Sequence, residues 1–163
     1  MRILLAYDSL SGNTREVAAL IQHEAEGAGH SVTAVFVTIE SLKDVVPEPF
    51  EEAEFDLYLL GSWSHNYGRT PPEMKEFIAE LYQQVGKPRH TAVFGTGETQ
   101  WGAEHYCGAV RRMAAFFESP YPLLKIEQMP HGQRDRDAII EWTHRVLAAR
   151  SAASNEHCRD HIR

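Results

Sequence analysis

Cysteine is nearly absent from this chain: Cys107 and Cys158 are the only two, far apart and in no Cys-x-x-Cys pair. That leaves no disulfide framework and fits a reducing compartment. No apolar run approaches the roughly 20 residues that a membrane-spanning helix needs, so membrane insertion is not expected. The N-terminus carries no basic region, long apolar core or cleavage site, a pattern that points to the cytoplasm. Positive charge is scarce too, with 16 Lys and Arg against 23 Asp and Glu and a formal net charge of −7. Such a surface repels phosphates and argues against nucleic acid as a partner. It fits a basic protein partner and simple solubility equally well. His157, Cys158 and His161 have helical ligand spacing, but they fall in a polar C-terminal stretch, where accident is the better reading and no metal site is expected.

What is present is one domain's worth of alternating patterns. With 163 residues, 43% of them apolar, the chain can bury one full core. Arg2 to Tyr7 reads as a buried strand, and Thr14 to Ala28 as a helix with Val17, Leu20, Ile21, Ala25 and Ala28 on one face. Ser31 to Val37 is a second strand, and Ser41 to Pro49 an irregular connection. Phe55 to Gly61 is the third strand. Thr70, Pro71 and Glu73 then suggest an N-cap, a first helical residue and a capping box, ahead of a buried face of Met74, Phe77, Ile78, Leu81 and Tyr82. Thr91 to Gly95, a helix with Val110, Met113, Ala114 and Phe117, Tyr121 to Glu127, and a helix with Ile139, Ile140, Thr143, Val146 and Leu147 complete the order. Residues 1–149 form the expected domain, and 150–163 an expected flexible tail. Alternation of this kind predicts an α/β fold, a three-layer doubly wound sandwich around a five-stranded parallel sheet.

In such sheets ligands sit at the carboxyl ends of the strands. Those ends carry this chain's least ordinary residues. Ser9, Ser11, Asn13 and Thr14 offer donors, Gly12 lets the backbone bend, and a helix N-terminus follows. That combination cradles a phosphate without Lys or Arg. It serves as readily as a plain helix cap, and these residues alone leave both readings open. A nucleotide-hydrolysing P-loop is excluded, because its Gly-Lys-Ser/Thr end is missing. The segment Ser62 to Thr70 adds Trp63, His65 and Tyr67, and the segment after strand four adds Trp101 and Tyr106 among glycines. Aromatic faces beside a phosphate cradle suit a flat ring with a phosphate tail.

Ser9-Leu10-Ser11-Gly12-Asn13-Thr14, Gly95-Thr96-Gly97-Glu98 and Tyr106-Cys107-Gly108-Ala109-Val110 resemble the ligand loops of the flavodoxins, carriers of flavin mononucleotide (FMN). The resemblance implies a sheet of order 2-1-3-4-5, in the short-chain form. It also implies that Ser9, Ser11, Gly12, Asn13 and Thr14 hold the FMN phosphate. Ser62, Trp63, His65, Asn66, Tyr67 and Gly68 would line one side of the ring. Thr96, Gly97, Glu98, Trp101, Tyr106 and Cys107 would shape the other side and its polar edge. Three positions depart from the family pattern: His65 stands where a stacking Trp is usual, Asn66 where Gly is frequent, and Glu98 where Asp is usual. Asn accepts left-handed backbone less freely than Gly. The one-electron-reduced state is therefore expected to be less stabilised than with Gly.

By the same resemblance the function is low-potential, one-electron transfer between a flavodoxin reductase and an acceptor enzyme, by a monomer that is not itself an enzyme. Two relatives of that fold compete. Asn66-Tyr67-Gly68 ahead of Pro71, together with Gly97 to Gly102, is also similar to the flavodoxin-like activator of class Ib ribonucleotide reductase. An FMN-dependent quinone or NAD(P)H reductase would need a second substrate pocket, for which no insertion is evident.

Overall fold

The first strand shows why the sheet is buried on both faces. In β1 (Arg2–Tyr7), Ile3 and Leu5 join one core cluster while Leu4 and Ala6 join another, and all four are fully buried. Alternation within a continuously apolar strand demands cover on each side. The computed structural model describes residues 1–128 and 132–160, with backbone alone for 155–160.

The cover comes from helices threaded between strands. After β1 come α1 (Asn13–Gly27), β2 (Ser31–Phe36), the short α2 (Leu42–Val45), β3 (Leu57–Ser62) and α3 (Pro72–Val85). The chain continues through β4 (Thr91–Gly97), α4 (Gly108–Phe117), β5 (Leu124–Glu127) and α5 (Gly132–Asp160). All strand pairs are parallel, in the order β2-β1-β3-β4-β5. Helices α1 and α5 supply Val17, Ile21, Ile139, Trp142 and Val146 to one core, and α3 and α4 supply Met74, Phe77, Leu81, Val110 and Met113 to the other. This is the doubly wound five-stranded sandwich that the alternation predicts.

At the centre of the sheet Gly61 pairs with Tyr7 on one side and Phe94 on the other. A Cβ on Gly61 would stand 2.1 Å from the Phe94 ring, so the strand needs glycine there to let that ring lie flat. The chain steps from β1 out to β2 and returns across β1 to β3. The carboxyl ends of β1 and β3 therefore flank the reversal in strand order, the place where open α/β sheets form a crevice. At the opposite end of the strands the Met1 amino group lies 3.1 Å from His30 Nδ1, and the Ser31 amide donates to the Met1 carbonyl.

Four expectations are corrected. Helix α3 starts at Pro72, with Pro71 as an extended N-cap residue (φ −59°, ψ 153°) and no side-chain cap, so Thr70 and Glu73 form no capping box. A residue before proline is pushed out of the helical region, and Pro72 does this to Pro71. Tyr82 is 52% exposed and packs on Phe116 rather than in the core. Strand β5 begins at Leu124, beyond Pro122, which has no amide to donate to the ladder. Helix α5 runs past Ala149 to Asp160, through the Ala-containing stretch after Arg150. The Arg150 guanidinium anchors that turn, donating to the Asp56 carbonyl at 2.6 Å and bonding the Ser154 hydroxyl. His157 and Cys158 lie where only backbone is described, and His161 lies outside the described residues.

Candidate functional site

The loops after β1, β3 and β4 enclose a cleft of about 450 Å³. Its floor begins where β1 runs into α1. Gly12 is the N-cap of α1 at φ 95°, a left-handed turn that glycine adopts without strain. The buried Ser9 hydroxyl accepts from the Gly12 amide at 3.1 Å and the Arg15 amide at 3.3 Å. A helix leaves its first amides without intrahelical partners. Ser9 takes two of them, and the Asn13 and Thr14 amides have no protein partner among the described residues. Those two amides carry the positive end of the α1 dipole. The Asn13 side-chain amide donates to Ser11 Oγ at 3.1 Å, which fixes both polar groups on the cleft rim.

Thr14 is buried, and its hydroxyl lies 2.9 Å from that of Thr96 at the end of β4. The pair ties the floor to the far wall. That wall continues through Gly97, Glu98 and Trp101. Trp101 is 68% exposed, yet its indole donates to Glu98 Oε2 at 2.7 Å, and Gln100 bonds the same oxygen. The Gly97 carbonyl accepts from the Gln128 amide at 2.7 Å. A Cβ on Gly97 would stand 2.7 Å from the Cys107 amide, so glycine keeps this wall thin.

The near wall is a small hairpin. His65 and Arg69 exchange main-chain bonds of 2.8 and 2.6 Å, and Asn66, Tyr67 and Gly68 turn between them at φ 24°, 57° and 80°. Asn66 and Tyr67 thus occupy left-handed backbone that Asn tolerates better than most residues and Tyr poorly. The hairpin is braced from behind. The Ser64 hydroxyl accepts from the Ala109 amide at the start of α4, at 3.2 Å, and Arg112 donates to the Gly68 carbonyl at 3.1 Å. Trp63 and Tyr67 line the cleft, each edge-on to a histidine, His65 at 5.2 Å and His105 at 5.4 Å between ring centroids.

Ten of the expected residues therefore line one cleft: Ser11, Asn13, Trp63, Asn66, Tyr67, Gly68, Thr96, Gly97, Glu98 and Trp101. Ser9, Gly12 and Thr14 support it from beneath through the bonds above. His65 backs Trp63. The Ser62 side chain is buried and bonds its neighbour's carbonyl, and Tyr106 packs against the core. Cys107 is fully buried with Sγ 3.9 Å from the Gly95 and Ile126 carbonyls, so its thiol faces the interior. Burial pushes that thiol up to about 12 and raises the Tyr106 phenol as well. Leu10, Ser64, His105 and Gln128 also line the cleft. Of these, only Leu10 sits inside a motif; the others are placed by chain reversals that no local pattern reveals.

One carboxylate stands out beneath the site. Asp8, at the end of β1, is 2% exposed and accepts from the Thr38 hydroxyl at 2.8 Å and the Trp63 indole at 3.0 Å. Burial raises its pKa above the ordinary carboxylate value; the Thr38 and Trp63 donors and the Ser9 backbone work against that shift, and Glu73 adds to it.

The donor set fits a phosphorylated planar ring. Two open helix amides and the adjoining hydroxyls suit a phosphate, glycines hold the walls thin, and Trp63 and Trp101 suit an aromatic ligand. Comparison with known proteins agrees. The sequence model of the flavodoxin family matches residues 5–142. The chain is 30% identical over 157 residues to the flavodoxin of Nitratidesulfovibrio vulgaris, covering 90% of this chain and 97% of that one. It is 27% identical over 143 residues to the "Probable flavodoxin 2" of Bacillus subtilis, covering 85% and 89%. Among solved structures, oxidised flavodoxin 2 from Bacillus cereus superposes with a TM-score of 0.74 at 25% identity, over 91% of this chain and 99% of that one. A family match across most of the chain, on a sheet of this order with a cleft at these loops, settles the assignment: the chain belongs to the flavodoxin family, and is an electron carrier of that family.

Proposed function

We propose that this chain binds one FMN non-covalently in the cleft and passes single electrons at low potential between a reductase and an acceptor protein. The observation that carries the reading is the pair of open amides at Asn13 and Thr14, set beside a cleft walled by Trp63 and Trp101. Bound FMN supplies the redox chemistry, and the protein sets its exposure and surroundings. Ser11, Asn13 and the α1 amides bind the phosphate. Trp63 and Trp101 orient the ring and keep water from its faces. Gly97 and the Asn66–Gly68 turn present main-chain groups to its polar edge. No residue of the site is required to act as an acid or base, so the protein is an electron-transfer flavoprotein rather than an enzyme. We place it in the cytoplasm as a monomer; among the described residues no helix is long and apolar enough to cross a membrane.

The direct test is titration of the flavin-free protein with FMN and with riboflavin, read by quenching of flavin fluorescence. Tight FMN binding with much weaker riboflavin binding supports the phosphate cradle, and equal binding of both refutes it. An anaerobic reductive titration followed by absorbance then separates one-electron from two-electron reduction. NAD(P)H consumption with a quinone and no added reductase should be negligible.

A second reading rests on one feature. The hairpin closed by His65 and Arg69 displays Asn66-Tyr67-Gly68, which resembles the Asn-aromatic-Gly loop of activators of class Ib ribonucleotide reductase. Activation of such a reductase in a reconstituted assay would shift the acceptor to that class while leaving the cofactor unchanged.

A further inference from the structure

We propose that Asp8 is a positioning residue: its buried carboxylate fixes the Trp63 indole and so sets the shape of the cleft wall. The proposal rests on the FMN reading for its ligand, but the contact it describes belongs to the free protein.

Three observations meet at this residue. Asp8 is 2% exposed, at the point where β1 gives way to the cradle, one residue before Ser9. Its Oδ1 accepts from the Thr38 hydroxyl and its Oδ2 from the Trp63 indole, and the Ser9 backbone adds a further hydrogen bond to the carboxylate. No Lys, Arg or His forms an ion pair with it among the described residues; the charged group acting on it from a packed element is Glu73, in the first turn of α3, which repels it. A buried carboxylate without a cation is costly, and hydrogen bonds from its donors are what keep it in place. The bond to Trp63 spans two of the three loops that form the cleft, because Asp8 follows β1 and Trp63 follows β3. An indole ring has few torsions, and a charge-assisted bond at its Nε1 leaves one orientation. His65 packs edge-on against the same ring at 5.2 Å and closes off the alternative.

Shape and charge can be separated by substitution. Asp8→Asn keeps an oxygen for the indole and can turn its amide toward the Thr38 hydroxyl, so the anchor survives while the charge is lost. Asp8→Ala loses both. Trp63→Phe keeps a ring but removes the donor.

The test has two readouts. In the free protein, the indole N–H resonance of Trp63 is followed by ¹H–¹⁵N NMR for exchange with solvent. Protection in the parent and in Asp8→Asn, with loss of protection in Asp8→Ala, is the expected result. Unchanged protection in Asp8→Ala overturns the proposal, whatever the ligand is. The second readout is FMN affinity. Asp8→Ala and Trp63→Phe should each weaken FMN by about tenfold, the double variant by little more than either, and Asp8→Asn by far less. Fully additive losses overturn the positioning role. A parent protein that binds no FMN sinks the functional reading but leaves the NMR test standing. Far-ultraviolet circular dichroism and the urea midpoint identify any variant that fails to fold, and Asp8→Asn then decides the matter.

Discussion

The backbones of Gly68 and Gly108 touch: a Cβ on Gly108 would stand 2.3 Å from the Gly68 carbonyl oxygen, and a Cβ on Gly68 would meet the Gly108 Cα at 3.2 Å. This contact presses the aromatic hairpin onto the first turn of α4. Arg112 completes the clamp from the same helix by donating to the Gly68 carbonyl. The near wall of the cleft therefore rests directly on that helix.

Gly108→Ala should accordingly both destabilise the fold and loosen the site. Neither neighbour is a flexible side-chain end, so the hairpin must move. A loss of about 1–3 kcal/mol is expected, as for overpacking elsewhere. Urea unfolding of the flavin-free protein measures it, and FMN affinity should fall in parallel.

The Thr14 and Thr96 hydroxyls satisfy each other inside the protein. Thr14→Val leaves one buried hydroxyl without its partner and should cost about 1–3 kcal/mol. Changing both to Val removes the orphan, so the double variant should lose less than the sum of the singles. A double-mutant cycle by chemical denaturation reads the difference.

Trp101 offers the opposite case. At 68% exposure it adds little to the packed core, and among the described residues its indole hydrogen-bonds Glu98 alone. Trp101→Ala should leave the unfolding free energy within about 0.5 kcal/mol of the parent. It should weaken FMN and riboflavin alike, because the indole is expected to meet the ring and not the phosphate. Ser11→Ala should weaken FMN alone.

Acid should unfold the protein partly through His90. Burial, followed by the nearby Arg150 and Arg89, lowers its folded-state value below the ordinary 6.5, and its ring bonds the Tyr121 hydroxyl at 3.0 Å. Between the lowered folded value and 6.5 the unfolded chain binds more protons, so stability rises with pH across that window and falls as pH drops through it. His90→Gln should flatten that limb in a series of urea midpoints taken from about pH 4 to about pH 8, which brackets the ordinary histidine value.

Cys107 should be inert in the folded state. Its thiol is fully buried and pushed up to about 12. With Cys158 replaced by Ser, a disulfide reagent should label no thiol in the native protein and one after unfolding.

Much of this fold was legible because each strand is a short apolar run and each helix has a clear stripe. The alternation of Ile3 and Leu5 with Leu4 and Ala6 already requires two covered faces. Errors fell at boundaries decided by one neighbour, as when Pro72 forces Pro71 out of α3. The turn from β1 into α1 was legible for another reason: a glycine turn and a helix start are local, so Ser9 to Thr14 carry both in six consecutive residues. Asp8 and the Gly108 contact were not. Asp8 gains its meaning from Trp63, 55 positions away in sequence, and Gly108 from Gly68 on another loop. Nothing local marks either partner.

The Met1 contact with His30 has a practical side. The amino terminus lies where β1 begins, at the end of the strands opposite the cleft. A linker attached there to an electrode surface would exchange that single contact for a tether and leave the cleft facing the electrolyte. A current measured in that geometry would have to travel the length of the strands, whereas a soluble mediator would reach the cleft unobstructed.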